Sequence, residues 1–321
     1  MTTQRSNRPY SEPRDHYQAI TDRIVAALES GTKPWQQPWD DAKAGGPALP
    51  VNAATGRPYH GINVLVLAMS AFAFGGGDPR FCSYKQAADR GWQVRRGERG
   101  TQIFFFKRME VEDETGEVKK RIPMLRAYTV FNGAQLEGIP PWTAPEIAEE
   151  PWRRPDAAAL ILDKSGARVN IGGSRAFYSP SLDVVCLPPG SSFDSPEAWA
   201  VTVLHELGHW TSHERRLNRE VKGRFGSQEY AKEELRAELA SVFVGATLGL
   251  PCDIPNHADY LASWIEVLKN DKREIFRAAS EAQKIADYLL AFHPEYARAR
   301  GTAGDESDGA EHGPQLVTEA A

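Results

Sequence analysis

The segment VTVLHELGHW, residues 201–210, constrains the fold of this chain more than any other stretch. Apolar residues at helical spacing lead into His205, and they predict a helix that packs against a core. A four-residue step returns His209 to the face of His205, one turn further along. Two imidazoles on one helical face can bind one metal ion, whereas the alternative is a core helix whose two histidines are satisfied by hydrogen bonds.

A catalytic metal site built on this helix needs a base and a third protein ligand. Glu206 follows the first histidine, where a carboxylate can act as general base towards a metal-bound water. His213 is one candidate for the third ligand, but a residue eight positions beyond His205 lies about 12 Å further along a regular helix. That distance is too long for both histidines to bind one ion, so a ligand from another segment is favoured.

The run YAKEELRAELASVFVGATLGL, residues 230–250, predicts a second helix, because its apolar residues recur at helical spacing. Glu234 and Glu238 share one face of this helix, a turn apart. Glu234 can supply the third ligand, while Glu238 can accept the second N–H of a ligand imidazole and fix its tautomer. A charged pair on a helix is ordinarily a solvated face, but the HELGH segment upstream favours the metal site.

These motifs resemble known families. HExxH followed by ExxAE on the next helix is similar to the zincin metallopeptidases of the gluzincin type. The longer runs HELGHWTSHERRLNRE and GRFGSQEYAKEELRAELAS resemble the C-terminal half of plasmid antirestriction proteins of the ArdC type, which are related to the N-terminal part of TraC primases. The resemblance implies His205, His209 and Glu234 as ligands of Zn²⁺ or another divalent ion such as Mn²⁺, with Glu206 as the base. Glu238 stands where some relatives have Asp or Asn.

Charge is distributed unevenly along the 321 residues. The whole chain carries a net charge of −5, which by itself argues against a nucleic-acid-binding protein. Residues 1–139, however, carry +4 and the remainder carries −9. A mildly basic N-terminal half is therefore joined to an acidic C-terminal half.

The composition predicts five consecutive regions. Proline and acidic residues around GIPPWTAPEIAEEPWRRP indicate a linker, and the low apolar content after Tyr296 indicates disorder. In chain order, we expect a flexible N-terminus (1–14), a first domain (15–140), a proline-rich linker (141–155), a second domain (156–295) and a disordered tail (296–321).

Basic and aromatic residues interleave through the first domain, as single-strand binders require for phosphates and for stacked bases. The alternative is that the aromatic residues form a core and the arginines a solvated face. PWQQPW, TGRPYHGIN and VRRGERGTQIFFFK are similar to the N-terminal domain of the same ArdC-type proteins, which implies single-stranded DNA binding. The predicted DNA-binding residues are Trp35, Trp39, Arg57, Tyr59, Tyr84, Trp92, Arg95, Arg96, Arg99 and Lys107.

Together, these features predict an α+β protein of two domains, a mixed domain that binds single-stranded DNA and a zincin-like metallopeptidase domain with an HExxH helix and a Glu-bearing helix. In the second domain, ARVNIGG and AFYSPSLDVVCLPP predict a sheet beside the HExxH helix, and Tyr178 is a candidate oxyanion donor. No apolar run reaches membrane-spanning length, no secretory signal is visible and the three cysteines are widely spaced, which favours a cytoplasmic protein.

The resemblance implies an antirestriction protein that protects incoming conjugative plasmid DNA from host restriction endonucleases. One mechanism is a zinc-dependent metallopeptidase that acts on a protein substrate such as a restriction enzyme. A second is a protein that coats single-stranded DNA and has only a structural metal. A third is a DNA–protein crosslink protease of the SprT type, although such enzymes usually take a third histidine as ligand.

Overall fold

A computed structural model describes most of the chain, in eight segments. The described residues are 15–35, 49–74, 78–112, 118–143, 153–219, 223–224, 226–250 and 260–297. The predicted flexible N-terminus lies outside the described residues, as do 144–152 of the predicted linker and 298–321 of the predicted tail.

Three helices lie in the N-terminal part: α1 (His16–Glu29), α2 (Ile62–Phe74) and α3 (Tyr84–Asp89). The side chain of Asp15 caps α1 by accepting a hydrogen bond from the backbone N–H of Gln18 at 3.1 Å. Ser83 starts α3 through a reciprocal capping box with Gln86.

Six strands accompany these helices. In chain order they are β1 (Val51–Asn52), β2 (Arg80–Ser83), β3 (Gln93–Val94), β4 (Thr101–Glu112), β5 (Val118–Asn132) and β6 (Leu136–Glu137). A four-stranded sheet has the order β1-β2-β5-β4, with β1 and β2 parallel and the other pairs antiparallel. Strands β3 and β4 lie on either side of the RGERG segment but do not pair with each other: β3 pairs with β6, and β4 forms a long hairpin with β5.

The C-terminal part contains five helices and a three-stranded sheet. The helices are α4 (Arg153–Ser165), α5 (Pro196–Trp210), α6 (Gln228–Leu248), α7 (Leu261–Asn270) and α8 (Glu274–Leu290). The strands are β7 (Arg168–Ile171), β8 (Phe177–Ser179) and β9 (Val184–Leu187), in the order β7-β9-β8. Ser195 caps α5 and Ser227 caps α6, so both helices that carry the candidate site start at defined residues.

One hydrophobic cluster joins the two parts. It includes Ile24 of α1, Leu65 of α2, Leu204 of α5, Leu239 of α6 and Ile285 of α8, all with at most 1% of their surface exposed. Because α1 packs on α7 and α8, the first helix of the N-terminal part completes the core of the C-terminal part.

The architecture is α+β with two domains, as predicted. Among the described residues, no helix combines the length and the apolar character needed to cross a membrane.

Candidate metal centre

Two adjacent helices bring together the three residues predicted as metal ligands. The Nε2 atoms of His205 and His209 lie 3.1 Å apart, and the carboxylate of Glu234 lies 3.4 Å from the first and 3.5 Å from the second. Ligand atoms about 2.0–2.1 Å from a tetrahedral ion are separated by about 3.3 Å. Two imidazole nitrogens and a carboxylate oxygen at this spacing therefore fit a divalent ion such as Zn²⁺ or Mn²⁺.

Gly208, between the two histidines in the chain, faces Ala237 of α6. A Cβ atom placed on Gly208 would lie 3.4 Å from the Cα atom of Ala237, which is ordinary van der Waals contact. Ala237 is three residues beyond Glu234 on α6. The two helices that carry the candidate ligands are therefore in close contact next to the site.

The ligand cluster opens onto a cavity of about 880 Å³. Glu206 is only 6% exposed, and its side chain lines this cavity beside the histidines. The segment that leads into β8 also lines the cavity. The site therefore has room for a substrate next to the three candidate ligands and the candidate base.

The carboxylate beside His209 is Glu233 and not Glu238, which corrects the sequence prediction. Oε1 of Glu233 lies 3.3 Å from Nδ1 of His209, while its Oε2 accepts a hydrogen bond from Arg219 at 2.6 Å. Glu238 lies four residues beyond Glu234, which is about 6 Å along the axis of α6. That distance carries Glu238 past the histidines.

Glu238 instead anchors the segment that follows α1. Its fully buried carboxylate accepts hydrogen bonds from Nζ of Lys33 at 3.1 Å and from Nε1 of Trp35 at 3.4 Å. Trp35 also packs against Trp264 of α7, with the ring centroids 5.9 Å apart. This buried cluster connects the N-terminal part to the helix that carries Glu234.

Electrostatics couple the histidines and carboxylates of the site. Burial by itself lowers the pKa of His209, but the negative charges of Glu234 and Glu233 raise it well above its usual value. Burial by itself raises the pKa of Glu234, and the neighbouring His209 and His205 lower it strongly. The carboxylate of Glu234 is therefore ionised, which is the form that binds a cation.

Tyr178 lines the cavity, but the structure does not place it as the oxyanion donor. Its hydroxyl donates to Asp183 at 2.8 Å and accepts from Arg216 at 3.2 Å, so its proton is already used. Burial and the bond to Asp183 raise the pKa of Tyr178 to about 12. His213, ranked low as a ligand, lies outside the ligand cluster and has its Nε2 atom 3.9 Å from Asp183.

Two further tyrosines line the cavity beside the ligand cluster, and sequence reasoning missed both. The hydroxyls of Tyr230 and Tyr260 lie 3.2 Å apart. Burial raises the pKa of Tyr230, and so does its hydrogen bond to Glu234. Tyr230 precedes Glu234 by one helical turn, so its position could have been predicted from the periodicity of α6. Tyr260 directly precedes α7, and no local sequence pattern links it to the site.

The residues predicted to bind DNA divide into buried and exposed groups. Trp35 is 0% exposed and Tyr59 is 7% exposed with its hydroxyl bonded to the carbonyl of Phe81, so neither ring can stack on a base in this fold. These two predictions are wrong, because both rings form core contacts. Trp39 and the side chain of Lys107 lie outside the described residues. Trp92 is partly buried, and the remaining predicted residues are exposed: Arg57, Tyr84, Arg95, Arg96 and Arg99.

The β4–β5 hairpin adds aromatic surface that the sequence did not identify. Phe105 and Phe106 are 47% and 56% exposed, on opposite faces of β4. Phe105 pairs in register with Arg126, and its ring makes an edge contact with Tyr128 at 5.6 Å between centroids. The face of the hairpin that carries Phe105 therefore combines exposed aromatic surface with a cation.

Comparison with known proteins finds two families that match separate parts of the chain. Residues 14–131 match the N-terminal domain of anti-restriction factor ArdC, and residues 156–281 match the zincin-like metallopeptidase family. A DNA primase TraC of Escherichia coli is 42% identical over 304 residues, which cover 89% of this chain and 28% of that protein. A second TraC primase is also 42% identical, with 20% of its length covered, so the chain spans about a quarter or less of these relatives.

Other relatives match over nearly their whole length. The uncharacterized protein y4eC of Sinorhizobium fredii is 38% identical, with 94% of this chain and all of that protein covered. The metal-free crystal structure of the antirestriction protein ArdC from plasmid R388 superposes with a TM-score of 0.75 at 38% identity, covering 88% of this chain and 99% of that chain. Its Mn(II)-bound structure gives a TM-score of 0.72 at 36% identity over the same shares. The chain therefore belongs to the ArdC family of antirestriction proteins.

Proposed function

We propose that this protein protects incoming plasmid DNA by combining single-stranded DNA binding with metal-dependent hydrolysis of a peptide bond. The observation that carries the proposal is the open cavity of about 880 Å³ in which His205, His209 and Glu234 lie beside Glu206. A structural zinc site is closed by four protein ligands, whereas a catalytic site has three and leaves one position open. Three candidate ligands facing a cavity match the catalytic arrangement.

In this proposal, His205, His209 and Glu234 hold Zn²⁺ or Mn²⁺, which when bound polarises a scissile carbonyl and lowers the pKa of a coordinated water. Glu206 accepts the proton of the attacking water and passes it to the leaving amine. Glu233 accepts the Nδ1–H of His209, so that its Nε2 lone pair faces the ion. Arg219 holds Glu233 in place by a charge-assisted hydrogen bond.

The extended strand β8 is the element that we propose holds the substrate backbone. Among the described strands, β8 pairs only with β9, so its second edge has no strand partner. Ala176, Phe177 and Tyr178 line the cavity. An extended peptide added to this edge would lie across the candidate metal centre. The hydroxyl of Tyr260, which directly precedes α7 and lies 3.2 Å from the hydroxyl of Tyr230, is the proposed donor to the developing oxyanion.

For the DNA-binding domain, we propose that the Phe105 face of the β4–β5 hairpin contacts single-stranded DNA. Phe105 supplies exposed ring surface for base stacking, and Arg126 beside it supplies a positive charge for phosphate. The exposed arginines Arg95, Arg96 and Arg99 precede β4 and extend the positive surface. Binding of this kind depends little on base sequence and weakens with salt.

The decisive experiment compares wild type with Glu206→Gln in plasmid transfer into a restricting host, with the metal content of both proteins measured. Glu206→Gln keeps the ligands and removes only the base, so we expect normal metal content and DNA affinity with loss of protection. The control is Glu214→Gln, which removes an exposed carboxylate from the segment after α5 that does not line the cavity.

Full protection by Glu206→Gln would contradict the proposal. In that case protection would come from DNA coating, with a metal that only supports the fold. If protection is lost together with the bound metal, Glu206 is assigned to metal binding instead. A second variant, Glu206→Asp, keeps a carboxylate at this position and separates this outcome from a failure to fold.

A further inference from the structure

The segment between β7 and β8 forms part of the wall of the metal cavity. Gly173, Ser174 and Arg175 of this segment line the cavity, followed by Ala176 and Phe177 as β8 begins. Among the described residues that line the cavity, Arg175 is the one lysine or arginine. The guanidinium of Arg175 is therefore the cationic group that a ligand in this cavity would meet.

The other arginines near the site are already used by the fold. Arg216 binds Asp183 and packs 4.0 Å from the ring of Trp210, while Arg219 binds Glu233 at 2.6 Å. Arg175, by contrast, is exposed, and no carboxylate among the described residues forms an ion pair with it. Its charge is thus available to a ligand and has no evident role in stabilising the fold.

Arg175 lines the same cavity as the three candidate ligands. Burial raises the pKa of the Tyr260 hydroxyl, as do the charges of Glu234 and Glu206, and the positive charge of Arg175 opposes them. These contributions place the arginine within electrostatic reach of the hydroxyl that lies beside Tyr230. A substrate group bound by Arg175 would therefore lie within a few residues of the bond at the candidate metal centre.

Phe177 is the second exposed group on this wall. It is 49% exposed although its backbone is part of β8, and it pairs in register with Cys186, while Tyr178 pairs with the fully buried Val185. Phe177 therefore points to the sheet face opposite the core. Arg175 precedes Phe177 by two residues and lines the same cavity, so this part of the wall carries an exposed cation and an exposed aromatic ring close together in the chain.

We propose that Arg175 and Phe177 select an extended peptide that carries an acidic residue and a large apolar residue two positions apart. A peptide added to the free edge of β8 places alternate side chains on one face, so its two residues would meet the guanidinium and the ring together. This inference rests on the proposed function for the location of the substrate, and it names the substrate class that this function leaves open.

The test measures binding, so that it does not depend on turnover. Metal-loaded Glu206→Gln protein is titrated into fluorescein-labelled decapeptides that contain Phe and Glu separated by one residue, and fluorescence anisotropy gives the affinity. We expect replacement of that Glu by Gln to weaken binding about three- to tenfold, as for a partly exposed charge-assisted pair. Arg175→Gln should remove this difference, and Arg175→Glu should reverse it, with preference for a Lys-containing peptide.

Two controls make the result specific. Arg215→Gln removes one exposed positive charge from the same domain outside the cavity, and it should keep the preference for Glu. Phe177→Ala should weaken the Glu and Gln peptides equally, since it removes ring contact and no charge.

Equal affinity of wild-type Arg175 protein for the Glu and Gln peptides, or no binding of either, would overturn the inference. A single-stranded oligonucleotide could displace the peptide from the protein with Arg175 but not from Arg175→Gln. That result would assign the arginine to phosphate binding and would also overturn the inference. Failure of the proposed function would give a separate result. In that case the peptide would bind in a manner that depends on Arg175, but metal-loaded wild-type protein would not hydrolyse it.

Discussion

The candidate metal centre and the proposed DNA surface differ in how the chain builds them. The metal centre takes its ligands from two adjacent helices, and helical periodicity alone fixes which side chains share a face. The DNA surface lies on a hairpin whose exposure depends on how far β4 and β5 extend beyond the core. The grouping of the metal ligands could therefore be predicted from residue spacing, whereas the proposed DNA surface could be identified only from the complete sheet.

The same difference appears in burial. His205, Glu206 and Glu234 are each no more than 6% exposed, whereas Phe105 is 47% exposed. A buried site is held by hydrogen bonds and packing from several elements, so a change in one residue affects its neighbours. On an exposed surface, each residue contributes to the binding free energy almost independently of its neighbours. The substitutions below test this contrast, from the largest expected effect to the smallest.

Lys33→Met tests the buried side of this contrast, because Lys33 binds the fully buried carboxylate of Glu238. Removing the ammonium group from the fully buried carboxylate should lower the free energy of unfolding by about 3–5 kcal/mol. Denaturant unfolding measures the change, and the double variant Lys33→Met/Glu238→Met should recover much of it. Lys284→Met, at an exposed ion pair on α8, should cost below about 1 kcal/mol. A similar small cost for Lys33→Met would show that this buried pair contributes no more to stability than an exposed one.

Glu233→Gln tests the buried network of the metal centre. The amide cannot replace the charge that accepts from His209 and Arg219, so the affinity for Zn²⁺ or Mn²⁺ should fall about 10- to 100-fold. Competition with a chromophoric chelator measures it, and DNA affinity should stay unchanged. Glu229→Gln, in the exposed first turn of α6, is the matched control. Unchanged metal affinity in Glu233→Gln would return the supporting role to another residue.

The sequence predicted the α+β class and the grouping of His205, His209 and Glu234, since both depend on local periodicity. It misplaced Glu238, because the partners of this carboxylate, Lys33 and Trp35, come from a segment far away in the chain. It also assigned Trp35 to the DNA surface, since composition does not distinguish a tryptophan that stacks on bases from one that packs on another helix. Long-range packing decided every one of these errors.

Phe105→Ala tests the exposed surface. Loss of one stacking ring costs about 1–3 kcal/mol per base, so the affinity for an oligo-dT strand should fall about tenfold at fixed salt. Phe106→Ala is the matched control, since the same residue type lies next along β4 on the opposite face and is slightly more exposed. Fluorescence anisotropy measures both variants. Equal losses would mean that DNA contacts both faces of the hairpin, and a loss in Phe106→Ala alone would place it on the other face.

Asp183→Asn gives the smallest effect, at the turn between β8 and β9 that faces the end of α5. The hydrogen bond from Arg216 lowers the pKa of Asp183 to about 2, helped by the Tyr178 hydroxyl and opposed by burial. Since the folded-state pKa lies below the unfolded value of about 3.9, the ionised carboxylate stabilises the fold above that value. This contribution is lost as the pH falls through about 2.

At pH 7, Asp183→Asn should lower the free energy of unfolding by about 1 kcal/mol, because the partly exposed pair is screened by solvent. Asn tolerates the left-handed backbone at this position, where φ is +50°, so the substitution changes charge with little change in conformation. Urea titrations from pH 7 down to pH 2 should show the two proteins converging at the acid end. If the difference in unfolding free energy between the two proteins stays constant with pH, the turn depends on hydrogen-bond geometry and not on the charge of Asp183. The residues next to the buried site would then behave like an independent surface contact.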